Sequence, residues 1–178
     1  MKWSENTIAR ALARQFFERK HLVLVPNCSW TGHECDLLVV TRDLRIIDVE
    51  VKISRADLKA DAKKDKWWRR ADAFFRAGLP APDLPRQHPP KVWKHYYALP
   101  AEIWKPELLG CLPSQNSGVL LLAEQKCATA PLVVRCARIA RPDRAADRIS
   151  AGDAIDIARL ASLRMWDAFS RLEKLEAA

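Results

Sequence analysis

Asp36, Glu50 and Lys52 are the residues of this 178-residue chain whose types and spacing could do chemistry. Two carboxylates beside an ammonium can hold an oxygen-preferring divalent cation and steer an attacking water. Glu50 and Lys52 belong to Arg45-Ile-Ile-Asp-Val-Glu-Val-Lys-Ile-Ser54. Alternation along an extended strand puts Asp48, Glu50 and Lys52 on one face of it and Ile47, Val49, Val51 and Ile53 on the other. A sheet face turned to water gives the same alternation, so the strand alone leaves a solvated charged face open as the alternative.

What positions a second carboxylate is the strand predicted over residues 34–41, opened by Glu34-Cys-Asp36 and joined to the first by a polar turn at Arg42-Asp43. Glu34 shares the face of Asp36 if the strand has already begun there. An Asp opening an apolar strand, a hairpin-length gap, and Asp-Val-Glu-Val-Lys within a β-branched run together resemble the PD-(D/E)xK nuclease superfamily. Its Asp corresponds to Asp36 and its (D/E)-x-K triplet to Glu50-Val51-Lys52, while Cys35 stands where the Pro of the name would be.

The resemblance implies a restriction-endonuclease-like core: an α/β fold with a central mixed β-sheet flanked by helices, here with an added C-terminal helix. It also implies a Mg²⁺- or Mn²⁺-dependent deoxyribonuclease. Asp36 and Glu50 would hold the metal, with the backbone carbonyl of Val51 as a further ligand, and Lys52 would orient or deprotonate the attacking water, or stabilise developing phosphoryl charge. Asp48 reads as an ion-pair partner behind these groups. The same fold without cleavage, a DNA-binding module, is the alternative.

The remaining elements follow in order. Ser4 caps a helix predicted to residue 18, with Ile8, Leu12 and Phe16 as its buried stripe. Glu5 in its first turn is either an acid complementing the helix dipole or, as in several branches of the superfamily, one more metal ligand. A strand at residues 21–26 ends at Pro26, and Trp30 and His33 follow in a polar loop near the expected mouth of the site; a lone loop histidine is most simply solvated.

A long helix is expected over residues 55–76. It contains the densest basic segment, with Lys59, Lys63, Lys64, Lys66, Arg69 and Arg70 as candidate DNA-phosphate contacts. Trp67 and Trp68 within it are either base-stacking rings or core. Residues 78–90 carry five prolines and read as an inserted loop.

Strands are predicted over residues 93–99, 119–124 and 132–139, with a turn and short helix between the first two. This order, with Ser-Arg-Ala-Asp-Leu-Lys-Ala-Asp after the Asp-Val-Glu-Val-Lys strand, an aromatic strand ending Ala-Leu-Pro, and Gly-Val-Leu-Leu-Leu before a Val-Val-Arg strand, is similar to the MmcB-type DNA repair family. The similarity runs over residues 4–141 and implies a role in DNA repair, recombination or phage DNA processing. An amphipathic helix closes the chain at residues 150–176, with Ile157, Leu160, Trp166, Phe169 and Leu172 available to pack on the domain; a homodimer contact is the alternative.

Whole-chain properties agree with a single nuclease-like domain of residues 1–178. The net charge of +8 favours a polyanionic partner such as DNA. Five cysteines without a Cys-x-x-Cys pair suggest neither a disulfide framework nor a zinc site. With no secretory leader and no long apolar run, the expectation is a cytoplasmic protein with no membrane partner.

Overall fold

Strands form where β-branched and aromatic residues alternate with partners on a buried sheet, and six such stretches pair in the computed structural model, which describes residues 3–68, 88–89, 91–126 and 131–176. They are β1 (His21–Cys28), β2 (Cys35–Thr41), β3 (Ile46–Val51), β4 (Val92–Pro100), β5 (Gly118–Glu124) and β6 (Leu132–Arg138). Their order in the sheet is their order in the chain. The pairs β1–β2, β2–β3 and β5–β6 are antiparallel, and β3–β4 and β4–β5 are parallel. The expected α/β class and mixed sheet are therefore present.

Helix α1 (Glu5–Ala11) starts at Ser4, whose hydroxyl accepts from the Thr7 N–H at 3.2 Å, and passes into a π-helical turn, Leu12–Phe16. Ile8, Leu12 and Phe17 bury this segment against Leu37, Val39, Val49, Tyr96 and Leu120 on one face of the sheet. Phe16, expected in the buried stripe, packs only partly buried at the edge of that cluster, because the π turn rotates it.

The other face carries two apolar clusters. Near β1, Val25, Leu38, Val40, Ile46 and Val92 pack against Ile149 and Ile157, the latter from the C-terminal helix α3 (Ala151–Glu176). Toward β5, Leu58 and Trp67 cover Tyr97, Leu99, Val119 and Leu121. Between these clusters lie the polar residues Asp48, Glu50 and His95.

Several expected boundaries move. Pro26 does not end β1 but sits within it, opposite Leu37, which an edge strand tolerates because its outward N–H is not needed. The long helix expected over residues 55–76 is instead the short α2 (Arg55–Ala60), followed by 3₁₀ turns at Asp61–Lys63 and Asp65–Trp67. The rest of that stretch, with Arg69 and Arg70, and nearly all of the proline-rich insertion lie outside the described residues. In α3 only Ile157 is buried; Leu160, Trp166, Phe169 and Leu172 are exposed, so the helix packs through its first turns and continues past the sheet. No helix among the described residues is long and apolar enough to cross a membrane.

Candidate active site

The hydrogen-bonded ladder between β2 and β3 ends at Leu37 and Val49, and beyond it the strands part. There the Asp36 side chain takes over as acceptor: its Oδ2 receives the Val51 N–H at 2.7 Å. An N–H and C=O of one extended residue leave the strand on the same side, so the Val51 carbonyl is directed toward this gap as well. Burial and the nearby Glu50 carboxylate push the Asp36 carboxyl up to about 6.

The register brings the remaining groups to one face. Asp48 pairs with His95 and Glu50 with Tyr97 across the parallel β3–β4 ladder, so these four side chains form two adjacent rows. The break after α2 then folds Asp61, Lys64 and Lys66 over them. Glu50 is fully buried and receives three ammonium groups: Lys66 on Oε1 at 2.5 Å, and Lys52 at 2.9 Å and Lys64 at 2.6 Å on Oε2. Lys66 also reaches Asp48 at 3.0 Å.

Asp61 holds the opposite side of Lys52, at 2.9 Å. Its Oδ2 accepts from the Tyr97 hydroxyl at 2.6 Å and the Trp67 indole at 3.0 Å. Oδ1 is buried and accepts no well-aligned hydrogen bond, its charge being balanced by Lys52 and by Lys64 at 3.1 Å. His95 stands edge-on between Trp67 and Tyr97 and hydrogen bonds the Ser117 hydroxyl through Nδ1 at 3.0 Å.

Electrostatics follow from this packing. Burial alone would raise Glu50, but Lys66 and Lys52 more than reverse it and hold its carboxyl below the usual range. Asp61 is likewise lowered against its burial, by Lys52 and by the Tyr97 hydroxyl. Asp48 stays raised, because it is completely enclosed and Lys66 offsets only part of that cost. Burial by itself would lower Lys52 and Lys66; Glu50 with Asp61, and Asp48 with Glu50, carry them above the ordinary lysine value. Burial drives His95 well down, so its imidazole is neutral and its 3.8 Å approach to Asp48 is not an ion pair.

Asp36, Glu50 and Lys52 thus converge as the sequence implies, and Asp48 has the expected ion-pair role. Lys66 does not: it is buried under the sheet face and cannot meet phosphate, a correction to its place among the DNA contacts. Lys64 is engaged with Glu50 and Asp61, whereas Lys59 and Lys63 are exposed. Trp67 is core rather than a stacking ring. Glu5 is exposed on α1, which packs on the opposite face from Glu50, and among the described residues no hydrogen bond or ion pair ties it to the site; its place in the first turn suits the dipole role. Trp30 is drawn into the cluster under α3, with Lys91 Nζ 4.7 Å over its ring.

Asp61 joins the cluster although the sequence reading did not name it among the site residues. Its signal was the Asp57-x-x-x-Asp61 spacing directly after the lysine strand. His95 and Tyr97, likewise not named by the sequence reading, alternate along β4 on the face that carries Asp48 and Glu50.

Neither the known protein-family models nor the curated proteins give a match to this chain. Among solved structures it is similar to the SPO1766 protein of unknown function from Silicibacter pomeroyi, with a TM-score of 0.57 and 18% identity over 100% of this chain and 97% of that one. The likeness establishes the α/β fold over its full length and nothing of the chemistry.

Proposed function

We propose that the protein is a metal-dependent deoxyribonuclease of the PD-(D/E)xK kind, on a restriction-endonuclease-like core related to the MmcB-type family, acting in DNA repair, recombination or phage DNA processing. The observation that carries this reading is the gap between β2 and β3, where Asp36 replaces the ladder and meets Glu50, with Lys52 held at 2.9 Å from both Glu50 and Asp61.

The donor chemistry fits a hard cation. Asp36 and Glu50 supply carboxylate oxygens and Val51 a carbonyl, the ligand types Mg²⁺ and Mn²⁺ take, and Mg²⁺ needs no more than one or two carboxylates because it keeps its waters. The Asp36 carboxyl is raised by burial first and by the Glu50 carboxylate second, so a cation beside it would favour its ionised, ligating form. Among the described residues no group of three or more His, Cys, Asp or Glu is arranged to hold a metal ion, so the reading rests on two carboxylates and a carbonyl. When bound, the cation would neutralise phosphate charge and supply an acidified water.

The chain's own groups do the rest. Lys52 is kept fully charged by Glu50 and Asp61, so it acts as a fixed donor to a phosphoryl oxygen or an orienting contact for water, not as a base. Asp61, pinned by Tyr97 and Trp67, sets where that ammonium points. The exposed Lys59 and Lys63 flank the site as phosphate contacts.

The test is cleavage of supercoiled, linear and branched DNA with Mg²⁺, Mn²⁺ or chelator. Metal-dependent cutting by the wild type is expected, reduced at least about a hundredfold in Lys52→Ala and in Asp36→Asn. A second reading, a DNA-binding module that does not cut, is favoured by the three ammonium groups already on Glu50. DNA binding without cleavage under either metal would select it.

A further inference from the structure

Resting on the reading of this site as a divalent-cation site, we propose that Lys64 is an internal counter-ion occupying the cation's place, bridging Glu50 and Asp61 until a divalent cation displaces it. This adds Asp61 to the cation's surroundings and makes Lys64 the residue that sets metal affinity.

The lysines of the cluster are not equivalent. The side chains of Lys52 and Lys66 are 4% and 2% exposed, whereas that of Lys64 is 45% exposed. Lys64 lies between the two 3₁₀ turns in extended backbone, with ψ 139°, so its side chain can swing outward without moving the sheet. Withdrawing Lys52 or Lys66 would leave buried carboxylates uncompensated inside the protein, a far costlier change.

The position of its ammonium is one a metal would choose. Nζ sits 2.6 Å from Glu50 Oε2 and 3.1 Å from Asp61 Oδ1, oxygens delivered by different elements. Asp61 Oδ1 is fully enclosed yet takes no aligned hydrogen bond, so it is satisfied by positive charge alone.

Charge balance points the same way. Asp36, Asp48, Glu50 and Asp61, with the half-exposed Asp57 3.9 Å from Lys52, when ionised, outnumber Lys52, Lys64 and Lys66 and leave negative charge over. Exchanging the single charge of Lys64 for a divalent ion reduces that deficit. The displaced Lys64 would then stand at the rim beside Lys63, available to a phosphate.

The experiment is Mn²⁺ binding to the full chain by isothermal titration calorimetry, without DNA, for wild type, Lys64→Gln, Lys64→Met and Asp36→Asn. Circular dichroism checks the fold of each, and the two Lys64 variants guard against a packing defect in either. Binding about tenfold tighter in both Lys64 variants than in wild type is expected, the scale of one like charge removed from a half-screened site, with loss in Asp36→Asn. Equal or weaker binding in the Lys64 variants would overturn the counter-ion proposal and leave the cation site standing. Absence of binding in every variant would remove the cation site and this proposal with it.

Discussion

Asp36 stands apart from the other acids of the site because it gains one hydrogen bond and no direct ammonium. Burial first, and Glu50 second, push its carboxyl up to about 6. A folded value above the unfolded one means that the folded chain prefers the protonated acid. The stability Asp36 contributes is therefore full below its ordinary value of about 4 and is lost as the pH rises through about 6. Carboxyl NMR of the metal-free protein should show a titration with its midpoint near that value, moving down in Glu50→Gln. A midpoint unmoved by Glu50→Gln would make burial the whole cause. Glu50 and Asp61 behave oppositely to isolated buried acids because each is tied to two or more lysines, whereas Asp48, paired with Lys66, stays raised; such pairs are costly to break from one side only.

At the scale of elements, the site depends on a helix that stops early. In a continuous helix Asp61 and Lys66, five residues apart, would point to nearly opposite sides. The extended backbone at Lys64 turns both inward, with Trp67 sealing the result against Leu58 and Tyr97. The sheet has its own close contact at Gly118, the first residue of β5. A Cβ there would run into the Tyr96 ring and lie 2.6 Å from the Ala140 backbone nitrogen. Backbone cannot yield as a side-chain tip can, so Gly118→Ala should destabilise the fold by about 3 kcal/mol, the upper part of the overpacking range, read by urea unfolding. A loss under about 0.5 kcal/mol would show that β5 and the chain after β6 can separate freely.

At the scale of the molecule, α3 is the element without a settled partner. Its first turns are anchored by Ile157, and the Ser150 side chain and Asp153 cap each other. Farther along, Leu160, Leu163, Trp166, Phe169 and Leu172 are exposed by 40 to 60%, a larger apolar surface than a lone helix usually leaves in water. Pairing of two copies through this stripe is expected. Sedimentation velocity should show self-association that rises with concentration and is abolished by the double change Trp166→Glu and Phe169→Glu. A monomer at all concentrations would end that reading. The net charge of +8 adds a salt dependence to any DNA binding, which should weaken steeply as ionic strength rises.

Alternation in Asp48-Val-Glu-Val-Lys52 was enough to assign the face, and apolar runs between turn residues were enough to find all six strands, because local periodicity records burial directly. Asp36, Glu50 and Lys52 were nominated by the resemblance of one hairpin's residues to a known motif, which periodicity alone would have left as a solvated charged face. The fates of Lys64, Lys66 and Asp61 were decided by tertiary structure alone. Composition marks that segment as a basic helix, and helix propensity has nothing to set against it. Only packing of Trp67 and Tyr97, and the need to neutralise Glu50 and Asp48 in a dry interior, folds the lysines inward. The exposed run of α3 was hidden likewise, since an amphipathic pattern shows that a face should be covered but not by what.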